Sequence, residues 1–439
     1  MSRDQTTAAR GVRGEQPPAS RLARKLGTRD AVIVGLGSMI GAGVFSAIGP
    51  AARAAGNMVV IGLLIAGALA YCNATSSAEL AALYPESGGA YVYGRRRLGD
   101  IWGFLAGWGF VVGKLASCAA MALTFARYAA PQIARPLAIG AVVSLTAVNY
   151  LGIRKTVGLT KIILGLVLAA LAACLFATLA GGALSLDRLW PLDAAAPRNV
   201  LQAAGLLFFA FAGYARIATL GEEVVDPAQT IPRAIPVALG VTLLVYAAVL
   251  VSALAAAGST VLAASPAPLA DAIRAGRFAS VAIVVRIGAA VGSLGVLLSL
   301  IVGVSRTMFA MAAARDLPAP LAAVHPRYQI PHRAELVVGG GVVLLVALLD
   351  VGEAIGFSSF TVLTYYAIAN ASALTLSRRE RRWPRLVAAL GLAGCVLVAA
   401  SLPARTMLSG LGVLSLGLVT FGISRAIRRR NQRRSEPGR

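Results

Sequence analysis

Three glycines, Gly37, Gly41 and Gly43, lie within seven residues of one long apolar stretch, residues 31–53. Because glycine destabilises a helix by about 1 kcal/mol relative to alanine, the stretch is predicted to form a helix that unwinds near its middle. Free N–H groups at the start of the second half-helix would suit a carboxylate, and free carbonyls at the end of the first would suit an ammonium group or a cation. The alternative is close helix packing, since Gly37 and Gly41 are small residues four apart. A dinucleotide-binding loop is excluded, because no strand precedes the glycines.

A second interruption is predicted in the apolar stretch 200–223, where Gly213 and the charged Arg216 fall inside the run. Paired interruptions in corresponding places of two halves point to an inverted repeat with a binding site near the membrane midplane. Aromatic side chains beside such a site can cover an ammonium group, although aromatics also simply pack. The predicted binding residues are Ser38, Met39, Ile40, Gly41, Ala42, Gly43, Phe209, Phe211, Ala212, Gly213, Tyr214 and Arg216.

Two charged side chains inside apolar stretches are candidates for binding or gating. A charge at membrane depth costs about 2.5–3.5 kcal/mol and is usually functional. Arg216 is predicted to attract a carboxylate, or else to pair with Glu222 or Glu223, which lie about two turns further on. Lys114 is a candidate coupling group, or else extends its ammonium group toward the membrane surface.

Enzyme chemistry and metal binding find little support in the sequence. The only histidines, His325 and His332, lie in one loop, and their spacing matches no metal site and no general-base arrangement. An integral-membrane transferase would need His, Asp, Glu or Cys side chains clustered at one membrane face. No metal, no cofactor and no catalytic residue are therefore predicted, although a membrane transferase or a transport-dead sensor stays as an alternative class.

The composition indicates which elements carry these residues. Of the 439 residues, 58% are hydrophobic and 13% are charged, against roughly a quarter charged in a soluble domain. Apolar runs of about 18 or more residues are long enough to cross a membrane as helices. Twelve spans, numbered in chain order, are predicted at residues 31–53, 58–84, 101–129, 134–151, 159–181, 200–223, 234–257, 280–305, 335–352, 354–376, 386–402 and 406–424.

The distribution of positive charge predicts the orientation. The net charge is +23, and alternate connecting segments, tails included, hold 30 Lys and Arg residues against 8 on the other side. By the positive-inside rule, both termini lie in the cytoplasm and the chain is a multi-pass protein of the cytoplasmic membrane. Nucleic-acid binding is the weaker interpretation of the charge, because no aromatic residues are interleaved with it.

Four stretches resemble the amino acid–polyamine–organocation (APC) superfamily of permeases. They are the glycine motif of span 1, residues 79–93, the span 6 stretch that leads to Pro227 and Pro232, and residues 305–327. The resemblance implies an all-α membrane fold of ten core helices in two inverted sets of five, with two peripheral helices and alternating access. The corresponding segments are a disordered basic tail 1–29, repeats 30–181 and 199–379, a helix pair 385–424 and a basic tail 425–439.

The sequence departs from the superfamily pattern where relatives couple transport to protons. Some relatives carry an acid at the position of Ala215, and some proton-coupled relatives carry a lysine midway along span 5, where Val167 stands here. Lys161 lies nearer the predicted cytoplasmic end of that span. Lys114, Lys161 and Glu222 are the candidate coupling or gating residues. Proton coupling is left open, and a weaker dependence on a pH gradient is expected.

The resemblance implies a small-molecule cargo, an amino acid or amine, carried through the lipid bilayer. A cationic substrate side chain about 6 Å from Arg216 would be repelled by roughly 3 kcal/mol at an effective dielectric constant near 20. Arg216 beside the second break therefore predicts a preference for neutral amino acids. The alternative is an exchanger of cationic amino acids or polyamines. A two-bundle carrier of six plus six helices is disfavoured, because the central linker is short.

Overall fold

The computed structural model describes residues 26–41, 43–84, 86, 88–152, 157–190, 195–218 and 224–435. Within these ranges the chain forms helices, and the one β-bridge pairs Leu26 with Val224. The backbone N–H of Val225 donates to the carbonyl of Leu26 at 2.9 Å. The pairing holds the start of the first helix, which begins at Thr28, against the segment that precedes Pro227, so ordered structure begins inside the predicted tail 1–29.

Seventeen α-helices follow one another through the described ranges. They are α1 (Thr28–Met39), α2 (Gly43–Ala55), α3 (Val59–Leu83), α4 (Ala90–Arg97), α5 (Asp100–Ala129), α6 (Ala134–Tyr150), α7 (Val157–Ala180), α8 (Pro197–Phe211), α9 (Ala215–Ala218), α10 (Pro227–Ala257), α11 (Ser259–Ala264), α12 (Pro268–Arg274), α13 (Ala282–Ala313), α14 (His332–Leu348), α15 (Val351–Leu374), α16 (Arg385–Ser401) and α17 (Ala404–Ser435).

Eight stretches of described helix are long and apolar enough to cross a membrane. They are Gly43–Leu83, Asp100–Ala129, Pro131–Tyr150, Gly158–Ala180, Pro197–Ile217, Pro227–Ala257, Ala279–Ala313 and Ala404–Ile423, and Arg385–Ser401 is apolar but shorter. The all-helical chain is thus a multi-pass membrane protein. The count of twelve spans and the inverted repeat stay predictions.

The helices pack into one bundle around a core of small and aliphatic side chains. The most extensive contacts join α5 to α13 and α15, α15 to α16, α3 to α8 and α10, and α2 to α8. Alanine, glycine and serine together make up most of the buried positions of α3 and α5. Small side chains let helix backbones approach closely, which is how helices associate where lipid removes the hydrophobic driving force.

Three helices extend well beyond the predicted bounds. The helix α10 begins at Pro227 and continues through Pro232 and Pro236, where a loop up to residue 234 was predicted. Proline fits the first helical turn, and interior prolines are tolerated in membrane helices when neighbouring groups satisfy the freed carbonyls. The helix α13 continues past residue 305 to Ala313. The helix α17 continues to Ser435, so most of the predicted basic tail 425–439 is helical.

Ionic contacts tie the connecting segments together at the end of the bundle predicted to face the cytoplasm. Asp316 accepts a hydrogen bond from Tyr91 Oη at 2.8 Å and one from the Arg95 guanidinium. Glu79 Oε1 accepts the backbone N–H groups of Arg382 and Trp383 at 2.5 and 2.6 Å. The Glu79 contact ties the end of α3 to the segment between α15 and α16.

A further ion pair joins Arg97 Nη2 to Glu380 Oε1 at 2.6 Å. The Arg97 guanidinium and the Ser377 N–H hold the pKa of the Glu380 carboxyl at about 2, below its ordinary 4.5. A depressed pKa stabilises the folded state above the unfolded pKa, and that stabilisation is lost only as the pH falls toward about 2. This contact therefore does not change between pH 5 and 8.

Candidate functional site

The predicted interruption of the first apolar stretch lies between α1 and α2. The helix α1 ends at Met39 and α2 begins at Gly43. Between them, Ile40 N donates to Leu36 O at 2.6 Å and Gly41 N donates to Met39 O at 2.8 Å. Met39 and Ile40 are each 1% exposed, so the break is enclosed by protein. Ala42 lies outside the described residues.

The second interruption is a change of helix type. The helix α8 ends at Phe211, residues Ala212–Tyr214 form a 3₁₀ turn, and α9 continues from Ala215 to Ala218. A 3₁₀ turn inside a helix often marks a hinge or local strain. The discontinuity around Gly213 is therefore a tightened turn between two helical segments.

The two interruptions pack directly against each other through glycines. A Cβ atom added to Gly43 would lie 2.7 Å from Ala210 Cα, and one added to Gly213 would lie 2.3 Å from the Ser38 carbonyl oxygen. No side chain fits at either distance without moving backbone atoms, and glycine permits this close approach. The structure thus places Gly43 against Ala210 and Gly213 against Ser38, so the two interruptions are in contact.

Tyr246 of α10 bridges the two breaks. Its Oη lies 2.6 Å from Met39 O and 3.2 Å from Ala210 O, so a single hydroxyl reaches carbonyls from both interrupted helices. The Phe211 ring meets the Tyr246 ring edge to face, with centroids 5.2 Å apart. Sequence reasoning missed Tyr246, although it is the only aromatic residue of α10.

We expect Tyr246→Phe to destabilise the protein without disturbing the packing of its ring. Leaving buried acceptors without a donor costs about 1–3 kcal/mol, so the apparent melting temperature of the purified protein should fall by a few degrees. Tyr71→Phe is the matched control, since Tyr71 is 42% exposed and its hydroxyl makes no hydrogen bond to the described residues. Equal melting temperatures for the two variants would contradict this role of Tyr246.

The predicted aromatic residues differ in burial. Phe211 and Tyr214 are fully buried, whereas Phe209 is only partly buried against the core. Tyr214 continues into a row of rings: Tyr214 to Tyr366 at 5.1 Å, Tyr366 to Tyr365 at 5.1 Å, and Tyr365 to Phe110 at 5.3 Å between centroids. The row connects the second break with α15 and α5.

Lys114 lies at the far end of this row. Its Nζ is 5.8 Å from the centroid of the Phe110 ring, the residue is 8% exposed, and none of its contacts with the described residues is a salt bridge. A cation over an aromatic face is stabilised by about 0.5–2 kcal/mol, less than the cost of a buried charge. The arrangement leaves a buried positive charge that an anionic or zwitterionic ligand could offset.

The remaining predicted charges lie elsewhere. Arg216 is exposed, beside the fully buried Tyr214 and Ile217, so its side chain is not enclosed by the packed core at the second break. Lys161 Nζ pairs with Asp30 Oδ1 at 3.4 Å, and both side chains are exposed. That pair joins α7 to the start of α1, away from the break at its end. Glu222 and its neighbour Glu223 lie outside the described residues.

The described residues include no group of three or more His, Cys, Asp or Glu side chains placed to hold a metal ion. The groups available at the two breaks are backbone N–H and carbonyl groups, aromatic rings and buried hydroxyls. Such groups can bind and orient a small zwitterion.

Comparison with known proteins shows similarity to membrane transporters. The family model for amino acid permeases matches residues 30–411. An uncharacterized transporter of Mycobacterium tuberculosis is 58% identical over 409 residues, 93% of each chain. The branched-chain amino acid permease BcaP of Bacillus subtilis is 26% identical over 91% of this chain and 92% of its own. Mouse cationic amino acid transporter 4 is 28% identical over 82% of this chain and 61% of its own.

Proposed function

Because the chain belongs to the amino acid permease family of the APC superfamily, we propose that it is a secondary transporter that moves amino acids across the cell membrane by alternating access. The observation that carries this proposal is the contact between the two helix breaks, where Gly43 meets Ala210 and Gly213 meets Ser38. Repeats 30–181 and 199–379 would move against each other around this contact. Both termini would face the cytoplasm, as the charge asymmetry indicates.

The breaks supply the groups that recognise the common part of every amino acid. The first N–H groups of α2 have no partner within the helix, and the helix dipole adds partial positive charge there. A carboxylate at this position would replace the water that those groups lose on burial. The end of α8 offers carbonyl groups and the rings of Phe211 and Tyr214, which suit an ammonium group.

Neutral amino acids are the proposed substrates. The buried Lys114 would repel a cationic side chain, and no acidic residue occurs in the sequence between Phe208 and Leu220 to offset it. The similarity to BcaP, a branched-chain amino acid permease, supports this choice. The second candidate is a cationic amino acid exchanger, which the 28% identity with mouse cationic amino acid transporter 4 favours.

Weak proton coupling is proposed for the same site. Val167 is fully buried in α7 and Ala215 follows the 3₁₀ turn, so neither position offers a titratable group. Exchange or facilitated diffusion would then carry most of the flux.

The test is uptake of labelled L-leucine by purified protein in liposomes, with empty liposomes as the control. Without a gradient, leucine should equilibrate faster than in the empty liposomes. An imposed gradient of about two pH units supplies about 2.7 kcal/mol per proton, enough for roughly hundredfold accumulation by a tightly coupled carrier. We expect accumulation to stay within about twofold of the value without a gradient. Strong accumulation driven by protons alone would contradict weak coupling.

A further inference from the structure

A partly open pocket lies at the end of the bundle that the charge asymmetry places outside the cell. Phe45 of α2, Thr124, Arg127 and Tyr128 of α5, Ser265 and Val351 contribute to its walls. The empty space among these residues is about 240 Å³ when open solvent is included, but the enclosed part has room for about one water molecule, so only a small group such as a carboxylate could enter it. Phe45 follows Gly43 by two residues, so the pocket lies just beyond the first break.

Arg127 is the charged group of this pocket. Its side chain is half-buried, and among the described residues its guanidinium makes neither a hydrogen bond nor a salt bridge. The neighbouring arginines are engaged: Arg53 Nη2 donates to Ala263 O at 2.7 Å, and Arg135 Nη2 lies 3.5 Å from Leu349 O. A guanidinium presents five donors in a planar fork that matches a carboxylate.

The hydroxyl groups of the pocket are already engaged. Thr124 Oγ1 donates to Ala120 O at 2.6 Å, and Tyr128 Oη donates to Phe45 O at 3.2 Å. Thr124 is 2% exposed and Tyr128 is 1% exposed, so neither hydroxyl group faces the open part of the pocket. The Arg127 guanidinium is therefore the group that would meet a ligand, and it matches a carboxylate.

The charges around Arg127 favour an anion. Asp350, Arg53 and Arg135 are within electrostatic reach of Arg127, so three positive charges, Arg127 included, face one negative charge. Asp350 Oδ1 accepts the Glu353 N–H at 2.7 Å in a helix cap. The other nearby acid, Asp271, accepts from the Ser265 hydroxyl and pairs with Arg274 at 2.9 Å.

A pair of buried rings separates the pocket from the first break. Phe45 and Tyr128 meet edge to face, with centroids 5.8 Å apart, and each is 1% exposed. The pocket is therefore reached from one side of the bundle while this ring pair stays closed.

We propose that the pocket is an outer subsite, in which Arg127 binds the carboxylate of an incoming amino acid before the Phe45–Tyr128 pair separates. The proposal rests on the proposed transport function for its ligand. It predicts that Arg127 determines affinity from the outer side alone.

The first test measures KM for L-leucine from each side of the membrane, in right-side-out and inverted vesicles. Arg127→Gln should raise the outer KM by about tenfold, since a charge-assisted bidentate contact is lost. The inner KM should not change. Arg127→Lys should give an intermediate value, because an ammonium group keeps the charge and loses the fork. Arg277→Gln, which removes an arginine that donates to Ala180 O at the same end, should match the wild type. An unchanged outer KM, or an equal rise on both sides, overturns the proposal.

The second test needs no transport. Phenylglyoxal modifies guanidinium groups, and mass spectrometry of the purified wild type reports the extent at each arginine. L-leucine should protect Arg127 and leave Arg277 unprotected, and leucinol, which lacks the carboxylate, should protect neither. Protection of Arg127 in a protein that takes up no amino acid would reject the proposed function and keep the subsite. Uptake of leucine without protection of Arg127 would reject the subsite alone. Because it uses the wild-type protein, this test also shows whether Arg127 binds the carboxylate if the Arg127→Gln variant does not fold.

Discussion

Gly213→Ala should abolish leucine uptake. The new Cβ would lie 2.3 Å from the Ser38 carbonyl oxygen, so the two broken helices must separate by about 1 Å to reach an ordinary contact. A displacement of about 1 Å in a positioning element can reduce a rate by about a hundredfold. The uptake rate in liposomes, normalised to the amount of folded protein, measures the effect.

The control for this variant is Gly240→Ala, in the interior of α10. A Cβ at Gly240 meets nothing within 4 Å, and alanine favours the helix over glycine, so uptake and stability should be retained. Gly43→Ala, with its Cβ 2.7 Å from Ala210 Cα, should behave like Gly213→Ala, and Gly43→Leu should lose uptake completely. Size-exclusion chromatography separates loss of function from loss of folding. Uptake by folded Gly213→Ala at the wild-type rate would reject the contact between the breaks as the centre of the site.

Lys114→Met should increase the uptake of lysine relative to leucine. Methionine keeps most of the apolar volume and removes the charge. A buried like charge repels a cationic substrate more strongly across low-dielectric protein than it does in water, so we expect the ratio to change by about tenfold or more, which corresponds to about 1.4 kcal/mol. The ratio of the KM values for lysine and leucine is the measurement.

Two other cations provide the comparison for Lys114. Arg216 is exposed, so it is less enclosed by low-dielectric protein than Lys114, and Arg216→Ala should change the ratio less than Lys114→Met does. Lys161 is paired with Asp30, so Lys161→Met should leave the ratio unchanged. If Arg216→Ala shifts the ratio more than Lys114→Met, then Arg216 sets the charge selectivity, and this interpretation of Lys114 is wrong.

The positions of the two helix breaks were predictable because the low helix propensity of glycine acts locally along the chain. Gly43 and Gly213 interrupt apolar runs, and that interruption needs no knowledge of tertiary contacts. The start of α10 at Pro227 was mispredicted for a related reason. Proline is a local signal for a turn, but surrounding helices can satisfy the carbonyls that Pro232 and Pro236 leave free.

Contacts between distant segments were less accessible to sequence reasoning. In the sequence, nothing distinguishes Tyr246 from other tyrosines in membrane helices. Only the structure shows that its hydroxyl lies beside Met39 O and Ala210 O. Arg127 resembles an ordinary interfacial arginine, and only the pocket shows that its guanidinium lacks a partner among the described residues. The exposure of Arg216 likewise depends on which neighbours surround α9. Each property follows from three-dimensional packing, which hydropathy and residue spacing do not encode.

The most direct test of the account is a panel of labelled substrates offered to the purified protein in liposomes at equal pH on both sides. The panel contains leucine, alanine, serine, lysine, arginine and a polyamine, and Gly213→Ala liposomes provide the matched background. The account predicts saturable uptake of leucine, alanine and serine, slower uptake of lysine and arginine, and none above background for the polyamine. Uptake of arginine or lysine in preference to all three neutral amino acids would contradict the proposed selectivity, and no uptake of any amino acid would contradict the proposed function.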